Sequence, residues 1–67
     1  MKVVIVEDEL LAAEYLAELL SRLSDGIEVV RILSSINEAV EYFELNNSPD
    51  LIFISVGRIS FASLITG

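Results

Sequence analysis

An unbroken apolar run near the start of the chain, residues 3–6, most constrains how the chain can fold. All four of these residues are β-branched valine or isoleucine. A strand with no polar position on either side is typical of a parallel sheet that is covered by helices on both faces. Three consecutive carboxylates follow, Glu7, Asp8 and Glu9, and a helix-forming sequence comes next. The pattern predicts an α/β protein whose first strand ends in an acidic cluster.

The sequence after the acidic cluster predicts a helix over residues 9–23. Its charged positions recur every four residues at Glu14, Glu18 and Arg22, a spacing that places them on one side of a helix. The leucines on the other side are expected to form the buried stripe. These are Leu16, Leu19, Leu20 and Leu23.

Two further strands and a second helix are predicted downstream. Residues 27–33 form a strand that contains Glu28 and Arg31, and charges inside a strand favour the edge of a sheet. Ser35 and Glu38 have the spacing of a capping box at the start of a helix. The apolar face of that helix is expected to contain Ile36, Ala39, Val40 and Phe43. Residues 51–56 are an almost wholly apolar third strand.

This element order, β-α-β-α-β, predicts short crossovers on a parallel sheet. With the charged second strand at an edge, the sheet order is 2-1-3. That is the opening of a doubly wound, flavodoxin-like domain in truncated form. The tail, residues 57–67, fits either a strand or a short helix that begins at Ser60.

The composition narrows the classes of function. The formal net charge is −7 and there is no basic patch, which argues against direct binding of nucleic acid. Cysteine and histidine are absent, so thiol catalysis, histidine bases and zinc sites are excluded. We find no nucleophile–base pair and no phosphate-cradling glycine loop, so we expect no enzyme activity. No apolar stretch approaches the roughly 20 residues of a membrane span, and we expect a cytoplasmic protein.

Two segments resemble a known family. Residues 4–9, Val-Ile-Val-Glu-Asp-Glu, resemble the opening of the receiver domain of bacterial two-component response regulators. Residues 49–54, Pro-Asp-Leu-Ile-Phe-Ile, resemble the approach to the third strand of that domain. The resemblance implies a partial receiver domain over residues 1–56 and a divergent tail over residues 57–67.

The resemblance also implies a site. In such receivers the acidic pair after the first strand binds Mg²⁺, and this pair corresponds to Glu7 and Asp8. The aspartate that accepts a phosphoryl group from a histidine kinase corresponds to Ser55, which cannot form an acyl phosphate. The family also uses a lysine after its fifth strand, whereas the only lysine here is Lys2. We therefore expect an ancestral Mg²⁺ site that is weak or inactive, and a chain that is not phosphorylated.

Structural roles are the alternatives for these residues. Asp8 is placed to cap the first helix, Glu9 to be a solvated residue of its first turn, and Ser55 to be a hydroxyl at a strand end. Four of the five aromatic residues are expected in the core or at its margin rather than in a stacking site. They are Tyr15, Tyr42, Phe43 and Phe53.

Two functions of different classes follow. The first is the N-terminal part of a receiver domain in two-component phosphorelay signal transduction, from a transcriptional regulator, that is itself incompetent for phosphorylation. The second is a self-associating, half-flavodoxin-like structural or interaction module with no phosphorelay role. A homodimer is expected in either case, since 54% of the residues are hydrophobic and the third strand would leave an unpaired edge.

Overall fold

The structure is a computed structural model that describes residues 1–45, 48–56 and 59–64, with the backbone alone described for residues 56 and 59–64. It contains two helices and a sheet of four strands. In chain order the elements are β1 (Lys2–Glu7), α1 (Leu10–Leu23), β2 (Glu28–Leu33), α2 (Ile36–Glu44), β3 (Leu51–Val56) and β4 (Ile59–Leu64).

The sheet has the order β2-β1-β3-β4, with β1 parallel to both of its neighbours. The predicted parallel order 2-1-3 is therefore confirmed. In the register of the sheet, Ile5 lies between Ile32 on one side and Phe53 on the other. The four residues 3–6 have no solvent exposure at all, which explains why this strand contains no polar side chain.

The described part of the tail is a strand. Residues Ile59–Leu64 pair with β3 in antiparallel fashion, from Val56 opposite Ile59 to Leu51 opposite Leu64. The strand alternative for the tail is thus correct for these residues, and the helix alternative is wrong. The expectation that β3 would leave an unpaired edge is also wrong, because β4 occupies that edge. Residues 57, 58 and 65–67 of the predicted tail lie outside the described residues.

The two helices cover opposite faces of the sheet. Val3 and Ile5 pack with Ala13 and Leu20 of α1 in one cluster. Val4 and Val6 pack with Leu33 and with Ala39 of α2 in another. The chain moves outward from β1 to β2 and then returns past β1 to β3, so crossovers of the same hand place the helices on opposite faces.

An irregularity in β2 changes the face on which its side chains lie. Val3 pairs with Val29, but the next residue, Val4, pairs with Arg31. Val30 is the extra residue, and it packs with the cluster on the α2 face. Arg31 lies on the same face, with its guanidinium carbon 5.7 Å from the centroid of the Tyr42 ring.

The prediction that β2 lies at a sheet edge is confirmed.

The buried face of α1 differs from the predicted one. Leu19 and Leu23, expected in the core, are 40% and 75% exposed. The helix instead presents Ala13 and Leu20 to the sheet, with Leu16 and Ala17 packed beside them. Small alanine side chains let the helix approach the β-branched surface of β1 closely, and the leucine count alone did not indicate this.

Exposed apolar side chains also occur elsewhere on the helices. In α2, Ala39 is buried and Phe43 half-buried as expected, but Ile36 and Val40 are about half exposed. Among the aromatic residues, Tyr42, Phe43 and Phe53 are half-buried, whereas Tyr15 on α1 is exposed. The prediction of a core position for Tyr15 is therefore wrong.

The predicted N-cap is correct for α2 and wrong for α1. Helix α2 is capped by Ser35, whose hydroxyl accepts the amide of Glu38 at 3.1 Å, as the capping box predicts. Helix α1 begins one residue later than expected, so its N-cap is Glu9, without a side-chain capping bond. Asp8 therefore does not cap this helix, and Glu9 precedes the first turn rather than belonging to it.

Two hydrogen bonds between Lys2 and Asp50 fix the start of the sheet. The Lys2 amide donates to the Asp50 carboxylate at 2.7 Å, and the Asp50 amide donates to the Lys2 carbonyl at 2.8 Å. Together they align the beginning of β3 with that of β1.

Neither helix in the described part of the chain has the length and apolar content that a membrane span requires.

Candidate functional site

The acidic cluster lies at the carboxyl edge of the parallel strands. Glu7 is the last residue of β1, and its register partner on β3 is Ser55. This edge is where open α/β sheets place their ligand sites, because the loops that follow the strands leave a crevice there. The fold thus brings together two of the three residues that were predicted to form the site.

Glu7 accepts hydrogen bonds from Glu9 and from Ser55. The Glu9 amide donates to its Oε1 atom at 3.0 Å, and the Ser55 hydroxyl also donates to the carboxylate. The Glu9 bond is the main cause that holds the pKa of Glu7 below its usual value of 4.5, with Asp8 and Ser55 contributing in the same direction. Donors aimed at a carboxylate stabilise its charged form, so Glu7 is an anion at neutral pH.

Asp8 is the third residue of the site. Its side chain is exposed to solvent and lies close enough to Glu7 for the two carboxyl groups to interact. Two adjacent carboxyl groups repel each other when both are charged, and a bound proton or cation relieves that repulsion. The pair therefore has the chemistry of a cation ligand set, although its exposure to water weakens the attraction.

These residues offer Mg²⁺ an incomplete set of protein ligands. The described part of the chain contains no group of three or more acidic, histidine or cysteine side chains placed to hold a metal ion. Mg²⁺ is usually held by one or two carboxylates and keeps several waters, which Glu7 and Asp8 would allow. However, Glu7 already accepts hydrogen bonds from the Glu9 amide and from Ser55, and Ser55 contributes a neutral hydroxyl where a carboxylate would add charge. The donor set fits a weakly held, water-rich cation.

Ser55 contacts a carboxylate that is a poor general base. The serine is half-buried, and its contact in the site is the Glu7 carboxylate. A carboxylate whose pKa is lowered is a poor general base, and the sequence contains no histidine. The hydroxyl therefore acts as a hydrogen-bond donor that joins the ends of the two central strands.

Lys2 is too distant to act at this site. It is the first residue of β1, whereas Glu7 is the last. Five residue steps along a strand correspond to about 16 Å. No other lysine occurs in the sequence, so no ammonium group is available to hold the oxygens of a phosphoryl group at this edge.

A second polar arrangement, which was not predicted from the sequence, lies on the α2 face of the sheet. Arg31 of β2 stacks over Tyr42 of α2, and Tyr42 meets Phe43 edge to face with centroids 5.7 Å apart. The signal in the sequence is the charge of Arg31 inside the second strand, but this charge alone predicts only that the strand lies at the edge of the sheet. Because the guanidinium covers an aromatic ring on the protein itself, we assign this contact to packing of α2 against β2.

Comparisons with known proteins do not place the chain in a family. No protein-family model matches it, and no curated protein or solved structure gives a significant match. The α/β fold is therefore established from the structure, while the resemblance to receiver domains stays a prediction that depends on the two sequence segments.

Proposed function

We propose that this chain is a receiver-like segment of a response regulator that cannot be phosphorylated at the usual position. The observation that supports this proposal is the pairing of Glu7 with Ser55 at the carboxyl edge of the sheet. An acidic strand end beside the end of the third strand is the arrangement that the resemblance implies. The segment would belong to the N-terminal part of a cytoplasmic transcriptional regulator in a two-component phosphorelay.

The chemistry at position 55 distinguishes this chain from a competent receiver. Transfer from a histidine kinase to an aspartate forms an acyl phosphate, which requires a carboxylate oxygen as the acceptor. The Ser55 hydroxyl instead donates a hydrogen bond to the Glu7 carboxylate. Since phosphoryl transfer depends on positioning and on neutralising charge, the loss of the acceptor carboxylate removes the acceptor atom and part of the cation site together.

In the intact family the partner is a histidine kinase. We propose no direct contact between this segment and nucleic acid. The net charge of −7 supports the second statement, because a phosphate backbone is attracted by basic rather than acidic surfaces. Any control of transcription would therefore be exerted through other parts of a regulator.

A Mg²⁺ titration of position 55 variants tests the proposal. We expect weak or undetectable binding by the natural sequence in isothermal calorimetry. Ser55→Asp places a carboxylate beside Glu7 and should tighten Mg²⁺ binding, whereas Ser55→Asn, of nearly the same size but neutral, should not. Combining Ser55→Asp with Glu7→Gln should abolish the gain. Equal affinity for all variants would contradict a receiver-like site.

A second candidate function is a self-associating structural or interaction module without a phosphorelay role. It is favoured by the number of large apolar side chains that the helices expose, because contiguous exposed apolar surface marks interaction sites. We propose a homodimer on this ground, and no longer on an open edge at β3, since β4 pairs with that edge. Sedimentation velocity over a range of protein concentrations tests it, and a monomer throughout would exclude this candidate.

A further inference from the structure

We propose that the outer surface of α1 is a self-association surface, on which a second copy of this chain docks its own α1 in antiparallel orientation. The inference rests on the self-association proposed above and names the surface that mediates it. It makes no use of Glu7, Asp8 or Ser55.

Four large apolar side chains form a continuous ridge along α1. They lie four residues apart, a spacing at which helix side chains are neighbours. Their exposed fractions are 81%, 65%, 40% and 75% for Leu11, Tyr15, Leu19 and Leu23. The buried residues of the same helix, Ala13 and Leu20, lie on the other side against the sheet. We call these four residues the α1 ridge.

A ridge with this spacing is suited to pack against a copy of itself. Ridges of residues four apart interdigitate when two helices cross at about −50°, the commonest class of helix packing. An antiparallel two-fold arrangement places Leu11 opposite Leu23 of the second copy, and Tyr15 opposite Leu19. Because both copies use the same surface, the contact closes as a dimer and leaves no ridge exposed.

The charges beside the ridge favour the antiparallel orientation. Glu14, Glu18 and Arg22 form a row along one side of the α1 ridge. A two-fold axis normal to two antiparallel helices brings these rows together, so Arg22 approaches Glu14 of the second copy. Arg22 is already oriented along this row by its ion pair with Glu18, at 2.6 Å. A parallel pair would place each row beside the other flank of the partner helix and lose this complementarity.

The area of the ridge predicts a weak dimer. If a large side chain carries about 170 Å² of surface, the exposed parts of the four ridge residues provide roughly 450 Å² per copy and ~900 Å² per pair. Stable, specific interfaces usually bury more than about 1,000 Å² in total. Association is therefore expected in the micromolar range and to depend on protein concentration.

Sedimentation velocity on the full chain, from low to high micromolar concentration, tests the surface. We expect a monomer–dimer equilibrium in which Leu19→Glu raises the dissociation constant about tenfold or more. Val40→Glu is the matched control, because Val40 is similarly exposed but lies on α2, on the other face of the sheet. It should leave dimerisation unchanged, and circular dichroism verifies that both variants fold.

Charge reversal tests the orientation. Arg22→Glu and Glu14→Arg should each weaken the dimer, and the double variant should restore it because the contact between copies is rebuilt with reversed charge. Within the chain, Glu18 loses its ion pair with Arg22 and gains an opposite charge four residues away on its other side, at position 14. Failure of the double variant to restore association would overturn the antiparallel arrangement. If Leu19→Glu left the dissociation constant unchanged, the α1 ridge would not be the interface, although self-association would stand. A monomer at all concentrations would overturn both proposals.

Discussion

Glu7 and Ser55 are register partners on adjacent parallel strands, and the serine hydroxyl donates a hydrogen bond to the glutamate carboxylate. This contact links the ends of the two central strands at the edge where the sheet would bind a ligand. It also uses the lone pairs and the hydroxyl on which cation binding or group transfer would depend. Glu7 belongs to one of the two segments that resemble receiver domains, whereas Ser55 is the reason to expect no phosphorelay chemistry at this position.

We predict that the chain gains no phosphoryl group on Ser55 when it is incubated with acetyl phosphate and Mg²⁺. The sequence contains no histidine, and the lowered pKa of Glu7, which contacts Ser55, makes that carboxylate a poor general base. Intact mass spectrometry, followed by peptide mapping, measures the outcome. A mass increase of one phosphoryl group that maps to Ser55 would refute the prediction, and a bona fide receiver domain treated in parallel is the positive control.

The pKa of Glu7 should respond to substitutions at position 55. Ser55→Ala removes one donor to the carboxylate, so the pKa should rise part of the way toward the usual value of 4.5. Ser55→Asp should raise it further, since an additional negative charge beside the Glu7 carboxylate disfavours its ionisation. Carbon-detected NMR titration of the glutamate carboxyl groups measures both shifts. An unchanged Glu7 titration in Ser55→Ala would show that the hydroxyl contributes nothing to the carboxylate.

The order of the parallel strands was predictable from the sequence because burial and charge determine it. The apolar run of residues 3–6 requires a central position, and Glu28 and Arg31 require an edge. The sequence does not decide between a strand and a helix for the segment that forms β4, because its apolar residues fit one face of either element. Pairing with β3, a long-range contact, decides between them.

The faces of α1 and the details of the site could not be read from the sequence for a different reason. The helix contains more leucines than one face can bury, so hydrophobicity alone did not distinguish Leu20, which is buried, from Leu23, which is exposed. The start of α1 at Leu10 likewise makes Glu9 the N-cap in place of Asp8, and the Glu9 amide bonds to the Glu7 carboxylate. Both outcomes depend on how closely the helix packs on β1.

The assignment of the α1 faces predicts unequal effects of two leucine truncations. Leu20→Ala should lower the free energy of unfolding by about 2–5 kcal/mol, because it opens a cavity between the helix and the sheet. Leu23→Ala should change it by no more than about 0.5 kcal/mol, as expected at an exposed position. Urea denaturation, at a protein concentration low enough to keep the chain monomeric, measures both. Equal losses would place Leu23 in the core and contradict the structure.

The hydrogen bond from the Lys2 amide to the Asp50 carboxylate should stabilise the folded protein. Asp50→Ala removes the carboxylate that accepts the Lys2 amide, and the expected loss is about 0.5–1.5 kcal/mol. Asp50→Asn keeps an acceptor oxygen of similar reach and should lose less. Urea denaturation of the two variants makes the comparison. If Asn were as destabilising as Ala, charge rather than hydrogen bonding would be responsible.

Acid should destabilise the protein partly through Glu38. Its carboxylate accepts the amide of Ser34 at 2.6 Å and the hydroxyl of the same residue at 2.8 Å. The amide bond is the main cause that lowers the pKa of Glu38 from its usual value of 4.5. The folded protein therefore binds this proton less readily than the unfolded chain does. The stabilising contribution is fully present above pH 4.5 and is lost as the pH falls through the lower pKa of the folded state.

The Glu38→Gln variant should remove this part of the pH dependence. At neutral pH it should be less stable than the natural sequence, because an amide accepts the Ser34 bonds less strongly than a carboxylate. As the pH falls below 4.5, the difference between the two proteins should shrink. Urea midpoints recorded from neutral to acidic pH measure this convergence. Glu41→Gln is the control, since it removes the same charge from α2 without changing the Ser34 contact. A difference that stays constant across the pH range would mean that Glu38 titrates identically in the folded and unfolded states.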